Sequence, residues 1–248
     1  MISSLWHSIV YRPLFNVLIV FINILPGHSV GGAIILLTVL VRLALFPLTG
    51  KSIRVQKAMK ELEPKLKHVR EKHKDDKQTQ AKKTMELYQE HGVTPFSGCL
   101  PLFIQIPIII GLYWVFLKGL KVIDPSVLYG FISAPSTLDM HFLVFDLAGK
   151  SAFLALCASV SQYVQATLSL GRQQAPTPTD ASKPTMQEDF AKTMQFQMRY
   201  ILPVMIGVIA YKATAAVALY WATSNILSVA QELWMRRSTK NNPTKLIA

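Results

Sequence analysis

Residues 36–49 read LLTVLVRLALFPLT, and the single arginine in that run decides how the rest of the chain is read. Counted outward from Arg42, no other charge occurs between Val30 and Gly50, so the guanidinium sits well inside a stretch of membrane-spanning length rather than at its edge. An arginine near the centre of a membrane helix costs about 2.5–3.5 kcal/mol on insertion scales, and it is tolerated where it faces a wet cavity or a partner inside the bundle. The other physical solution is a side chain that snorkels to the inner headgroups.

With 248 residues, 51% of them hydrophobic, and a mean hydropathy of +0.32, the chain has the size of one large soluble domain or of a small polytopic membrane protein. The distribution of apolar residues separates the two. Residues 30–49, 95–117 and 151–170 are nearly uncharged blocks, as is 200–231 apart from Lys212, and a helix needs roughly 20 apolar residues to cross a bilayer. The expected fold class is therefore an all-α polytopic membrane protein.

The formal charge of +12 could point to nucleic acid, but its location gives another reason for it. Residues 51–92 hold 12 Lys and Arg against 7 Asp and Glu, the tail from Arg236 holds 4 basic residues and no acid, and 118–150 holds 3 of each. Basic loops stay in the cytoplasm, which places 51–92 and the tail inside and 118–150 outside. No specific nucleic-acid site is needed to explain the charge; ribosome contact by the tail is the one such use it leaves.

Signals for catalysis and for metals are weak. Cys99 and Cys157 fall in apolar segments and read as packed thiols. His68, His73 and His91 lack the spacing of a zinc helix, and no Gly-rich phosphate loop or nucleophile elbow is present, so no metal, cofactor or catalytic residue is expected.

Segment by segment, residues 1–28 carry Arg12 where a spanning helix would least want it, and read as an interfacial amphipathic helix with Trp6 and Tyr11 at headgroup level, the alternative being a further span. A first span is expected over 29–50. A charged cytoplasmic hairpin follows over 51–93, its first helix striped by Val55, Met59, Leu62, Leu66 and Val69 and bent at Pro64, its second carrying Met85 and Tyr88. The second span covers 94–117, with Pro101, Gln105 and Pro107; an outer loop covers 118–150; the third span, 151–170, carries Gln162 and Gln165. A proline-rich loop fills 171–193. The stretch from Tyr200 to Trp234 would be about 50 Å if straight, too long for one crossing, so Lys212 marks an outer turn between a fourth span, 194–211, and a fifth, 214–234, carrying Trp221, Ser224 and Asn225. The basic tail is 235–248.

Four blocks in this order, VLVRLALFPLTGKSIRVQKAM, the charged hairpin, YQEHGVTPFSGCLPLFIQIPIIIGLYWVF and LYWATSNILSVAQ, resemble the YidC family of membrane protein insertases, related to the organellar Oxa and Alb insertases. The resemblance implies a five-transmembrane-helix core around a polar groove open to the cytoplasm and sideways to lipid. It implies that Arg42 is the groove arginine, with Gln165 a polar residue of the third core helix and Trp221 and Asn225 on the groove side of the last; Gln105 and Gln162 are added from the polar positions of their spans. Members usually carry a Pro or Gly turn before LYW, where this chain has KATAAVA. A lipoprotein-type leader and a large outer domain, found in some members, are expected to be absent.

On that footing the snorkelling reading gives way to the groove. No acidic partner for Arg42 is visible in any span, Glu232 being near the end of the last helix, so water or substrate is expected to solvate it. The expected function is insertion of nascent membrane proteins in a bacterial plasma membrane, with lipid, the Sec translocon and the ribosome as partners and no ATP site. Two other classes stay open: a solute or ion transporter, against which the halves show no self-similarity, and an intramembrane enzyme, for which paired nucleophile and base residues are missing.

Overall fold

The computed structural model describes residues 6–73, 76–92, 100–120, 123–170 and 193–241. The loop expected over 171–193 falls almost wholly outside the described residues, as do Cys99, the start of the second expected span and the end of the basic tail. Among the described residues the regular structure is helical apart from one minimal β-hairpin, and the chain divides into two compact units, Met1–Leu43 with Pro107–Trp234, and Ala44–Ile106 with Met235–Ala248. Three helices among the described residues are long and apolar enough to cross a membrane: His7–Ile24, Val30–Val55 and Ala152–Leu170.

In the first unit, α1 (His7–Ile24) opens with a π-helical turn over His7–Tyr11 and buries Phe15, Leu18, Ile19 and Ile22, which share one helical face. The chain then reverses through Pro26–His28, where Gly27 adopts φ 70, a left-handed conformation that costs glycine nothing. Helix α2 (Val30–Lys72) starts at once, and its Val30, Ala33, Ile34 and Leu37, at i, i+3, i+4 and i+7, enter the same core. Leu112, Val115 and Phe116 join them from α4 (Leu100–Trp114) and the π turn after it, and Ala215–Ala222 from α7 (Ala215–Asn241). Helix α5 (Ala152–Leu170) packs closely along α6 (Leu202–Lys212), with the Ser159 hydroxyl donating to the Pro203 carbonyl at 2.9 Å. Lys212 ends α6, and the extended Ala213 separates it from α7, where the sequence places a turn.

The segment after α4 is held by side chains of α1. Arg12 Nε donates to the Val127 carbonyl at 3.0 Å and Nη2 to that of Leu128 at 3.3 Å, with the guanidinium 5.0 Å over the Tyr129 ring. Asn16 donates to Val127 O and accepts from the Tyr129 N–H at 2.8 Å, and Asn23 donates to Ser133 O at 2.9 Å. Backbone bonds from Asp139 to His28 and Val30 complete the seam. This explains the awkward Arg12: it satisfies carbonyls of a stretch with no regular structure of its own. The segment ends in a hairpin, β1 (His141–Phe142) with β2 (Phe145–Asp146), a small addition to an otherwise all-α fold. Its last carbonyls, Leu147 and Gly149, accept the Ala216 and Ala215 N–H groups, two of the donors that a helix start leaves unpaired.

In the second unit, α2 runs through residue 50 without a break, and Pro47 and Pro64 both lie inside it, so no interruption separates the expected span from the expected hairpin. Each proline removes one backbone bond, and the flanking turns keep theirs. Leu62 and Leu66 are buried against Val55, Ala58 and Met59, and against Leu87 and Tyr88 of α3 (Lys77–Glu90). Met85, expected on this stripe, is exposed, and Leu87 takes its place. Asp76 fixes the phase of α3 by accepting from the N–H groups of Gln78 and Thr79 and from the Thr79 hydroxyl. These bonds, the Thr79 hydroxyl's above all, hold its carboxyl below the ordinary carboxylate range.

Candidate functional site

The polar residues of the first unit are organised by α7. Arg42, half-buried on α2, donates from both Nε (3.1 Å) and Nη2 (2.5 Å) to the hydroxyl of Ser224. One turn earlier on α2, the fully buried Thr38 returns its hydroxyl to the Ile34 carbonyl, which leaves that side chain no demand on its neighbours. The expectation that only water or substrate solvates Arg42 is thus corrected: a serine 182 residues away takes two of its N–H groups. Serine is neutral, however, and among the described residues no carboxylate forms an ion pair with Arg42. A guanidinium has five donors, so a single hydroxyl does not exhaust it.

A second polar seam joins α7 to α5. Asn225 Nδ2 donates to Ser161 Oγ at 3.2 Å and reaches the Ala158 carbonyl at 3.5 Å. Two turns on, Glu232 Oε2 accepts from Ser169 Oγ at 2.6 Å. Along α5, Gln162 Nε2 donates to Gln165 Oε1 at 3.3 Å, and Gln165 Nε2 to Ser169 Oγ at 3.3 Å. The spacing explains the pairing: 225 and 232 lie seven apart and 161 and 169 eight apart, each pair on one helix face. Gln162, Ser224, Asn225 and Glu232 are buried, and Gln165 is half-buried.

Of the six residues named from the sequence, Gln162 and Gln165 touch directly, and Arg42 and Asn225 are linked through neighbouring positions of α7. Trp221, half-buried, packs against the apolar core. Gln105, also half-buried, belongs to the second unit. Ser161, Ser169 and the inward role of Glu232 were not anticipated; serines at helical spacing beside the glutamines were the only available signal. Cys157 is a half-buried thiol against the core. Among the described residues, no three His, Cys, Asp or Glu side chains are grouped to hold a metal ion.

Three helices of spanning length and apolarity among the described residues, in a fold whose helices are bonded to one another through hydroxyl, amide and guanidinium groups, define an all-α polytopic membrane protein. Residues 21–242 match the family described as 60Kd inner membrane protein, and the chain belongs to that family. It is 33% identical over 242 residues to the protein named membrane protein insertase YidC of Laribacter hongkongensis, and 35% identical over 232 residues to that of Nitratidesulfovibrio vulgaris. These matches take in 97% and 94% of the chain but only 38% and 39% of the relatives, so the chain spans well under half their length. The membrane protein insertase MisCA of Bacillus subtilis is 34% identical over 245 residues, 96% of this chain and 82% of that protein.

Proposed function

We propose that this chain is a membrane protein insertase whose substrates are nascent integral membrane proteins, and that Arg42, Gln105, Gln162, Gln165, Trp221 and Asn225 line the hydrophilic groove that receives them. The observation that carries the reading is Arg42 itself, a cation within a span, bonded to a neutral hydroxyl and to no carboxylate among the described residues. Such a group retains attraction for an acidic segment of an incoming chain. The hydrophilic part of the substrate rests in the groove while its hydrophobic segment slides along α5 and α7 into lipid, and burial of each large apolar side chain contributes roughly 1.5–3 kcal/mol. No nucleotide or covalent step enters this scheme. The relatives' names favour it over a solute transporter.

The charged hairpin and the tail face the cytoplasm of a bacterial cell in this reading and meet the ribosome or the Sec translocon there. Helix α1 lies at the opposite surface rather than across the bilayer. The irregular segment 127–133 is bonded along it, and exposed backbone of that kind has no partners among acyl chains. Thiol labels at Glu71 and Ser136 then react from opposite sides.

The test is reconstitution of the purified protein in liposomes with two small substrates that differ only in the charge of the translocated segment. Arg42→Ala should slow the acidic substrate more than the neutral one, and Arg42→Glu should slow it most. Equal insertion of both substrates by a folded Arg42→Ala protein would refute the electrostatic part, and solute flux without insertion would favour a transporter.

A further inference from the structure

The geometry points to the tip of the β1–β2 hairpin as a lipid anchor: we propose that Leu143 and Val144 insert among the acyl chains beside the start of α5. Both are nearly free of protein contact, 82% and 86% exposed, between the exposed polar residues Asp139 and His141 on one side and Asp146 and Lys150 on the other. An apolar tip with a polar rim is the distribution expected where a loop meets the boundary between headgroups and acyl chains.

Two further observations support it. Phe142 pairs with Phe145, so Leu143 is the first central residue of a two-residue turn, and its φ is 55. Glycine is the common occupant of such a position, and a leucine there is strained without any packing in return. The tip also continues a surface that already has an apolar neighbour. Phe145 stacks on Phe153, centroids 5.4 Å apart and planes 7° apart, and Phe153, Leu156, Val160 and Val164 form an exposed stripe at helical spacing on α5. That helix is of spanning length, so the stripe faces lipid, and the hairpin tip extends it past the helix start. A protein partner is the weaker occupant, because two side chains fall far short of the roughly 800 Å² per side that a stable interface buries.

Full-length protein carrying a nitroxide at Val144→Cys, in a Cys99→Ala and Cys157→Ala background, should be reconstituted in phosphatidylethanolamine and phosphatidylglycerol liposomes. Collisions with oxygen, which concentrates in the acyl layer, should exceed those with a water-soluble nickel chelate several-fold, as at a label on Leu156, while a label at Asp139 gives the reverse. Replacing Leu143 by Gly should move the Val144 label toward water. Nickel-dominated collisions at Val144 would overturn the proposal by placing the tip in solvent. Low collisions with both reagents would also overturn it by showing a protein contact, and an unchanged depth in the Leu143→Gly protein would remove Leu143 from the anchor.

Discussion

The Glu232 carboxylate accepts the Ser169 hydroxyl at 2.6 Å, a bond that ties α7 to α5. Bonds to a charged group are worth about 1.5–3 kcal/mol when one partner is removed. Glu232→Ala should lower the thermal stability of the detergent-solubilised protein by that order, whereas Glu232→Gln, which keeps a carbonyl acceptor, should cost clearly less. Equal losses would mean that the carboxylate acts through its charge and not through this bond.

Ser224 separates the anchoring of Arg42 from its charge. Ser224→Ala removes an acceptor of two N–H groups and leaves the guanidinium in place, so the protein should stay folded at a cost of about 1–3 kcal/mol. Insertion of acidic substrates should fall less than in Arg42→Ala. A Ser224→Ala protein as impaired as Arg42→Ala would show that position, not charge, limits the reaction.

Between α5 and α6 the approach is limited by a glycine. A Cβ on Gly207 would lie 3.0 Å from Ser159 Cβ and 3.1 Å from its Oγ, the close contact that small residues permit in membrane helix pairs. Gly207→Ala should be nearly neutral, since alanine's helix propensity gains roughly 0.8–1.0 kcal/mol against the crowding. Gly207→Val should cost about 1–3 kcal/mol and loosen the pair, as read by thermal unfolding and by crosslinking between the two helices.

Much of this architecture was legible. The charge-free run around Arg42, the uncharged block at 151–170 and the break at Lys212 follow from helix length and hydropathy; the structure has a helix over the first that runs on to Lys72, a helix over the second, and the end of α6 at the third. Side-chain partners were not legible, because pairs such as Arg42 with Ser224, 182 positions apart, depend on which helix faces meet. Leu87 replaced Met85 because the cap at Asp76 sets the phase of a short helix that carries only a weak apolar pattern. The β1–β2 turn was invisible for a different reason: its strained position holds leucine, not the glycine that would have signalled it.

Asp76 makes the start of α3 sensitive to acid. Its folded carboxyl titrates below the usual 3.8, so the stability it supplies is fully present above that value and is lost as pH falls through the lower folded value. Amide exchange in the first turn of α3 should rise on acidification below about 3.8 in the parent. Asp76→Asn, which still accepts but does not titrate, should lack that acid step. Exchange that rises identically in both proteins would assign the acid response to another group.

The seam between Arg12 and the carbonyls of Val127 and Leu128 joins positions 115 and 116 residues apart. During synthesis, then, α1 cannot complete this seam until more than a hundred further residues have followed it. For that interval Phe15, Leu18, Ile19 and Ile22 have only the neighbouring α2 to pack on, and Arg12 has no carbonyls to hold. Until then the chain is itself an unfinished membrane protein, the class of molecule that its relatives are named as inserting.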